Sequence, residues 1–151
     1  MGLASSTLGT LAALTNFGLL GINAGFTRAA ELESYNPSAF SVFGQILILV
    51  WGVAFYVAGK TNAAPAMWGV FAAEKFCYTA AWVHWLMADE TAVHHATDMA
   101  TKAIDAGDFL AAAPPLLCLT FGAVDAIYLF LFTLKALESP VDAAAEAKRR
   151  N

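Results

Sequence analysis

Charge is what this chain has least of. Only 13% of its 151 residues are Asp, Glu, Lys or Arg, and no charged residue precedes Arg28 or falls between Glu33 and Lys60. An ordinary soluble domain carries about 25%. Basic residues are also in the minority, 8 against 12 acids for a net charge of −4, so the positive face that nucleic-acid binding requires is missing. Cysteine is scarce: Cys77 and Cys118 both fall in apolar stretches and read as small apolar fillers rather than a disulfide framework. Phosphate loops, dinucleotide glycine patterns, zinc-protease helices and nucleophile elbows are lacking, and neither Ser nor Cys stands beside a plausible His base. Hydrolase and nucleotide chemistry are thereby disfavoured. No internal repeat or linker divides the chain, which reads as one domain over residues 1–140 with a charged tail over 141–151.

What the chain does have is apolar length. Hydrophobic residues make up 59% of it and the mean hydropathy is +0.60, values that exclude disorder and leave too much apolar surface for a fold buried only in itself. A membrane span needs about 20 mostly apolar residues. Four stretches meet that description, near 8–27, 38–59, 65–87 and 109–134. The third is the least apolar, with Glu74, Lys75 and His84, and the fourth contains Pro114, Pro115 and Asp125. The alternating ten-residue segments of a membrane β-barrel are not found. The expected fold is therefore all-α, an integral membrane four-helix up-down bundle with a short interfacial helix in the third loop. No Lys or Arg precedes the first apolar run, unlike a signal peptide.

Lys135, Lys148, Arg149 and Arg150 follow the last stretch, which assigns the C-terminus, and with four spans the N-terminus, to the cytoplasmic side. Lys60 in the second loop agrees, the acidic third loop lies outside, and Arg28 alone opposes the scheme beside Glu31 and Glu33. A bacterial inner membrane or another cell membrane is the expected location.

Ionisable groups within a span cost about 2.5–3.5 kcal/mol each on insertion scales, so they need a partner or a task. At about 1.5 Å per residue, Glu74, Lys75 and Asp125 all fall roughly 14–15 Å from the cytoplasmic end, with Asn16 at about 12 Å. Four polar groups from three helices thus share a layer near the midplane. That layer is either a functional polar centre, the floor of a substrate pocket or a proton relay, or a structural clasp. Tyr78 lies one turn beyond Glu74 and Tyr128 three residues beyond Asp125, so each phenol is within helical reach of its acid. Asn23 and Gln45 form a second polar layer above the first, read as interhelical hydrogen bonding. Gly18, Gly21 and Gly25 give the first span a face on which another helix can approach closely.

The third loop contains a possible metal constellation. In a helix over 89–104, Glu90, His94 and Asp98 align at four-residue spacing with His95 adjacent, a donor set competent for zinc. The alternative is a solvated amphipathic connector with Val93, Ala96, Ala100, Ala103 and Ile104 as its apolar stripe. Haem has little support, because His84 has no matching histidine in another span and fits an aromatic belt with Trp82 and Trp85. No cofactor is assigned. The size, the lack of catalytic motifs and the glycine face favour a non-catalytic component or assembly partner of a membrane complex, with the lipid bilayer and other membrane subunits or itself as partners. The alternative is a small-molecule or proton-coupled binder, transporter or membrane-embedded enzyme centred on Glu74, Lys75 and Asp125.

Overall fold

The computed structural model describes residues 4–61 and 63–138. Residue 62 and the charged tail, with Lys148, Arg149 and Arg150, lie outside the described residues. The described chain is helical throughout with no strand: α1 (Ser5–Ile22), α2 (Ala29–Tyr35), α3 (Pro37–Phe40), α4 (Val42–Lys60), α5 (Pro65–Ala88), α6 (Glu90–Asp105) and α7 (Phe109–Ala136).

Local sequence explains most of the boundaries. Asn36 caps α3 by accepting from the Ala39 amide at 3.1 Å, Ser41 caps α4 through Gly44 at 3.1 Å, Asp89 caps α6 through Ala92 at 3.0 Å and Asp108 caps α7 through Ala111 at 2.9 Å. Each satisfies one of the amides a helix start leaves unpaired. Proline opens α3 and α5, where its fixed φ suits the first turn. Pro114 and Pro115 sit within α7, and Pro114 has no N–H to give the Leu110 carbonyl. Arg28 fills that vacancy, donating through Nη1 to Leu110 O at 2.9 Å while its other nitrogens grip Glu31 at 2.7 and 2.9 Å.

Four long helices run antiparallel in succession, with α1 packed on α4 and α5 on α7. Small residues set how closely α1 and α4 approach. A Cβ on Gly9 would strike the Phe55 carbonyl and stand 2.8 Å from the Gly59 Cα, and one on Gly52 would stand 2.9 Å from the Phe17 ring. The sequence pattern had pointed to Gly18, Gly21 and Gly25 instead. Those three meet nothing within 4 Å: Gly18 and Gly21 lie on the exposed side of α1, and Gly25 belongs to a turn with φ of +62°. Between α5 and α7, Trp82 lies flat against Gly122 and donates to the Cys118 carbonyl at 3.2 Å. Trp85 is buried too, so the expected aromatic belt turns inward and leaves His84 exposed.

Two further boundaries differ from expectation. The first apolar stretch stops five residues early, at a turn in which Ala24, Gly25 and Phe26 all take positive φ. The second loses its first residues to α3, with Ser41 restarting the chain as α4. Two helices, α4 and α7, are long and apolar enough to cross a membrane. α1 is shortened to 18 residues, and α5 is diluted by Glu74, Lys75 and His84, so the length and composition expected of four spans are met by two. The helix expected over 89–104 is present as α6, packed on α7 through buried Ala96 and Ala100.

Candidate functional site: a charged cavity between two helix pairs

Two hydrophobic clusters fill the interior. One contains Leu8, Phe55, Trp68, Phe71 and Phe132, the other Leu19, Leu32, Tyr35, Phe40, Trp85, Cys118 and Phe121. Between them, where the α1–α4 pair meets the α5–α7 pair, lies a cavity of about 230 Å³. Its walls are mostly apolar, from Leu19, Ile22, Phe40, Ile48, Leu117, Phe121 and Val124, and its polar groups are Asn16, Glu74, Lys75, Tyr78 and Asp125, with Thr15 and Thr120 toward the outside.

The ammonium of Lys75 organises the polar floor. It stands 2.7 Å from Asp125 Oδ1 and 3.7 Å from Glu74 Oε1, and it also lies over the Phe55 and Tyr78 rings at 5.2 and 5.8 Å from their centroids. Neighbours on a helix point about 100° apart, yet the long lysine stem lets Nζ reach both its own neighbour Glu74 and Asp125 across the helix interface. All three are buried: Lys75 is 3%, Asp125 8% and Glu74 9% exposed. One cation facing two carboxylates leaves one negative charge unmatched when all are ionised. The mismatch has a visible location, since Glu74 Oε2 is buried and has no hydrogen-bond partner.

Of the six residues that depth and helical spacing together assigned to this centre, five line the cavity: Asn16, Glu74, Lys75, Tyr78 and Asp125. Asn16 does not join the ion cluster; its Nδ2 donates to the Ile48 carbonyl at 2.8 Å, tying α1 to α4. Tyr128 turns away from Asp125 and meets Thr15 Oγ1 at 2.7 Å. The Thr15 hydroxyl already gives its proton to the Leu11 carbonyl at 3.0 Å, so the phenol is the donor. This α1–α7 link joins residues 113 apart, and neither spacing nor depth singles out Thr15.

The second polar layer forms as a closed amide relay. Asn23 Nδ2 donates to Gln45 Oε1 at 2.9 Å, and Gln45 Nε2 donates to the carbonyls of Ala29 at 3.0 Å and Phe40 at 2.7 Å. Asn23 Oδ1 accepts from the Phe26 amide at 3.1 Å, holding the positive-φ turn. Both side chains are fully buried, and the layer braces backbone rather than facing the cavity.

The third-loop constellation is not gathered. Glu90 and His94 approach to 3.5 Å on an exposed face of α6, whereas His95 stacks on Tyr35 at 5.4 Å between centroids. Burial holds the Tyr35 phenol above its ordinary range. Asp98 is exposed, and among the described residues no three His, Cys, Asp or Glu side chains stand close enough to share a metal ion. One helix presents its side chains along a line, so four donors on α6 cannot close around one ion. Compared with known proteins, the chain matches no family model, no curated protein and no solved structure.

Proposed function

We propose that the chain is a membrane protein whose four long helices all span the bilayer as an up-down bundle, and that it binds a small molecule in the cavity floored by Glu74, Lys75 and Asp125. The distribution of polarity supports the membrane reading. Asn16, Gln45, Glu74, Lys75 and Asp125 are buried, while large apolar residues are exposed on every long helix: Leu14 on α1, Val53 on α4, Phe76 on α5 and Phe130 on α7, each more than half exposed. Only 28% of the apolar window of α4 and 22% of that of α7 is buried, unlike the core helix of a soluble protein. With lipid on the outside and Lys and Arg concentrated at Lys60, Lys135 and the residues after α7, both termini face the cytoplasm.

The observation carrying the binding reading is the acid in excess on the floor of a roomy cavity. A purely structural clasp at membrane depth needs charge balance and close packing, because interhelical polar contacts return only about 0.6–2 kcal/mol. Here one acid is in excess, and the space beside it is larger than the roughly 150 Å³ that holds a benzene. A second reading, a non-catalytic component of a membrane complex, rests on the exposed outer face of α1, where Gly21 meets nothing within 4 Å and leaves room for another helix.

Native mass spectrometry of the protein extracted gently from its own host membrane separates the two. The binding reading expects a reproducible small-molecule adduct that disappears in Asp125→Asn while the protein stays folded. A reproducible partner subunit with no adduct favours the component reading instead.

A further inference from the structure

Which molecule suits the cavity follows from its charge and from where it opens. Only three of the lining residues are exposed, Thr15 and Gly18 on α1 and Thr120 on α7, so the mouth passes between these two helices, at the height of the ion cluster rather than at an end of the molecule. Gly18 leaves the mouth clear, since a Cβ there would meet nothing within 4 Å. The surface around the mouth is apolar. By helical spacing, exposed Leu11 shares the outer face of Thr15 and Gly18, and exposed Leu116 and Ile127 share that of Thr120.

Resting on the reading of the chain as a membrane-embedded binder, we propose that the ligand is a small lipophilic amine with a compact apolar body, which enters sideways from the hydrocarbon as the neutral base through the gap between α1 and α7 and is held in the cavity as its monocation. An ammonium group beside the Glu74 carboxyl supplies the positive charge that the floor lacks when both acids are ionised, and a turn of that carboxyl toward it gives the orphaned Oε2 a donor. The Tyr78 and Phe121 rings border the same space and offer faces to a cation. At about 230 Å³ the cavity takes one aromatic ring with a short side chain, a little more than the volume that encloses benzene alone. Such an amine partitions into a bilayer as the neutral base, which is what a mouth at mid-span requires, and in the cavity it takes the proton that otherwise neutralises the excess acid, leaving an ammonium paired with a carboxylate.

The test uses the full chain in lipid nanodiscs and three probes of one shape: 2-phenylethylamine, 2-phenylethanol and 3-phenylpropionate. The amine is expected to bind at least about tenfold more tightly than the alcohol, with the acid weakest. Glu74→Gln should remove the preference for the amine and keep binding of the alcohol, and Gly18→Phe should slow association of the amine at least about tenfold. Alcohol bound as tightly as amine by the unaltered protein overturns the cation assignment yet leaves the cavity a ligand site, and tighter binding of the acid overturns it as well. Failure of all three probes on folded protein overturns the binding reading itself. Unchanged association in folded Gly18→Phe overturns the lateral entry. The probe comparison needs no variant, so a misfolded substitution does not decide it.

Discussion

The two halves of the molecule are held together by different means. In the half built from the start of α1, the end of α4, the start of α5 and the end of α7, rings do the packing: Phe55, Trp68, Phe71 and Phe132 lie 4.9–5.8 Å apart in edge-on and tilted pairs. The backbone there is regular helix, so its polar groups are satisfied internally and the interior can be purely apolar. In the other half the chain breaks into α2, α3 and a turn of three positive-φ residues, and buried Asn23, Asn36 and Gln45 supply the hydrogen bonds that the irregular backbone lacks. Rings fill the volume where helices are continuous, and side-chain amides brace the backbone where they are not. The cavity occupies the join, and Lys75 belongs to both sides, resting on the Phe55 ring of the first half while pairing with the acids.

The largest effect should come from removing that joint. Lys75→Met keeps the stem but leaves Glu74 and Asp125 facing each other without a cation, which for a broken buried pair costs about 3–5 kcal/mol. Thermal unfolding in detergent measures it, with Asp125→Asn as the control. The amide still accepts a hydrogen bond from Lys75 and the charges become balanced, so that variant should stay close to the parent. Equal losses in the two variants would turn the floor into a structural clasp.

Next comes the ring-packed half, which should fail by overfilling. Gly9→Ala forces a methyl against the Phe55 carbonyl, and since the obstacle is backbone rather than a flexible side chain, α1 and α4 must move apart. Overpacking of this kind costs about 1–3 kcal/mol. Gly18→Ala, on open space in the same helix, should change stability far less. A gain at both positions would mean that helix propensity, which favours Ala over Gly, outweighs the α1–α4 approach.

The other half should fail by losing an amide. Gln45→Leu keeps bulk but strands Asn23 Nδ2 and the Ala29 and Phe40 carbonyls. The expected loss is about 1.7 kcal/mol, the upper end for polar contacts between membrane helices. Hydrogen exchange adds a local readout: amides of α2 and the 23–28 turn should lose protection while those around Phe55 keep theirs. Uniform loss of protection would dissolve the distinction between the halves.

This contrast also sets what could be read from the sequence. Depth along a helix is nearly linear in residue number, so Asn16, Glu74, Lys75 and Asp125 were placed at one level and do line one cavity. Rotation about the helix axis is not fixed by depth, which is why Tyr128 was assigned to Asp125 but faces Thr15. Apolar runs placed α5 and α7 closely, and an amphipathic stripe placed α6. They overran α1 and α4 because positive φ at Ala24 and Phe26, and a break at Ser41 within an apolar stretch, leave no mark in hydropathy. Close approach was likewise sought among adjacent glycines of one helix, whereas the contact joins Gly9 to Gly59, a tertiary pairing that one sequence does not encode locally.

The smallest effect is expected at the mouth. Tyr128→Phe removes the donor to Thr15 and leaves the ring in place beside Phe132, 5.7 Å away. Thr15 keeps its own bond to the Leu11 carbonyl, so no buried group is orphaned. The loss should be near the average for such bonds, about 0.6 kcal/mol. A double-mutant cycle with Thr15→Val isolates the pair, and its coupling should equal that loss. Strict additivity would mean that the α1–α7 link contributes nothing. A coupling several times larger would mean that the two helices are clamped and the gap between them does not open sideways. Weak coupling of the expected size is what a mouth requires, for α1 and α7 touch less than either touches its own partner. The phenol–hydroxyl bond then sets where the gap begins without holding it shut.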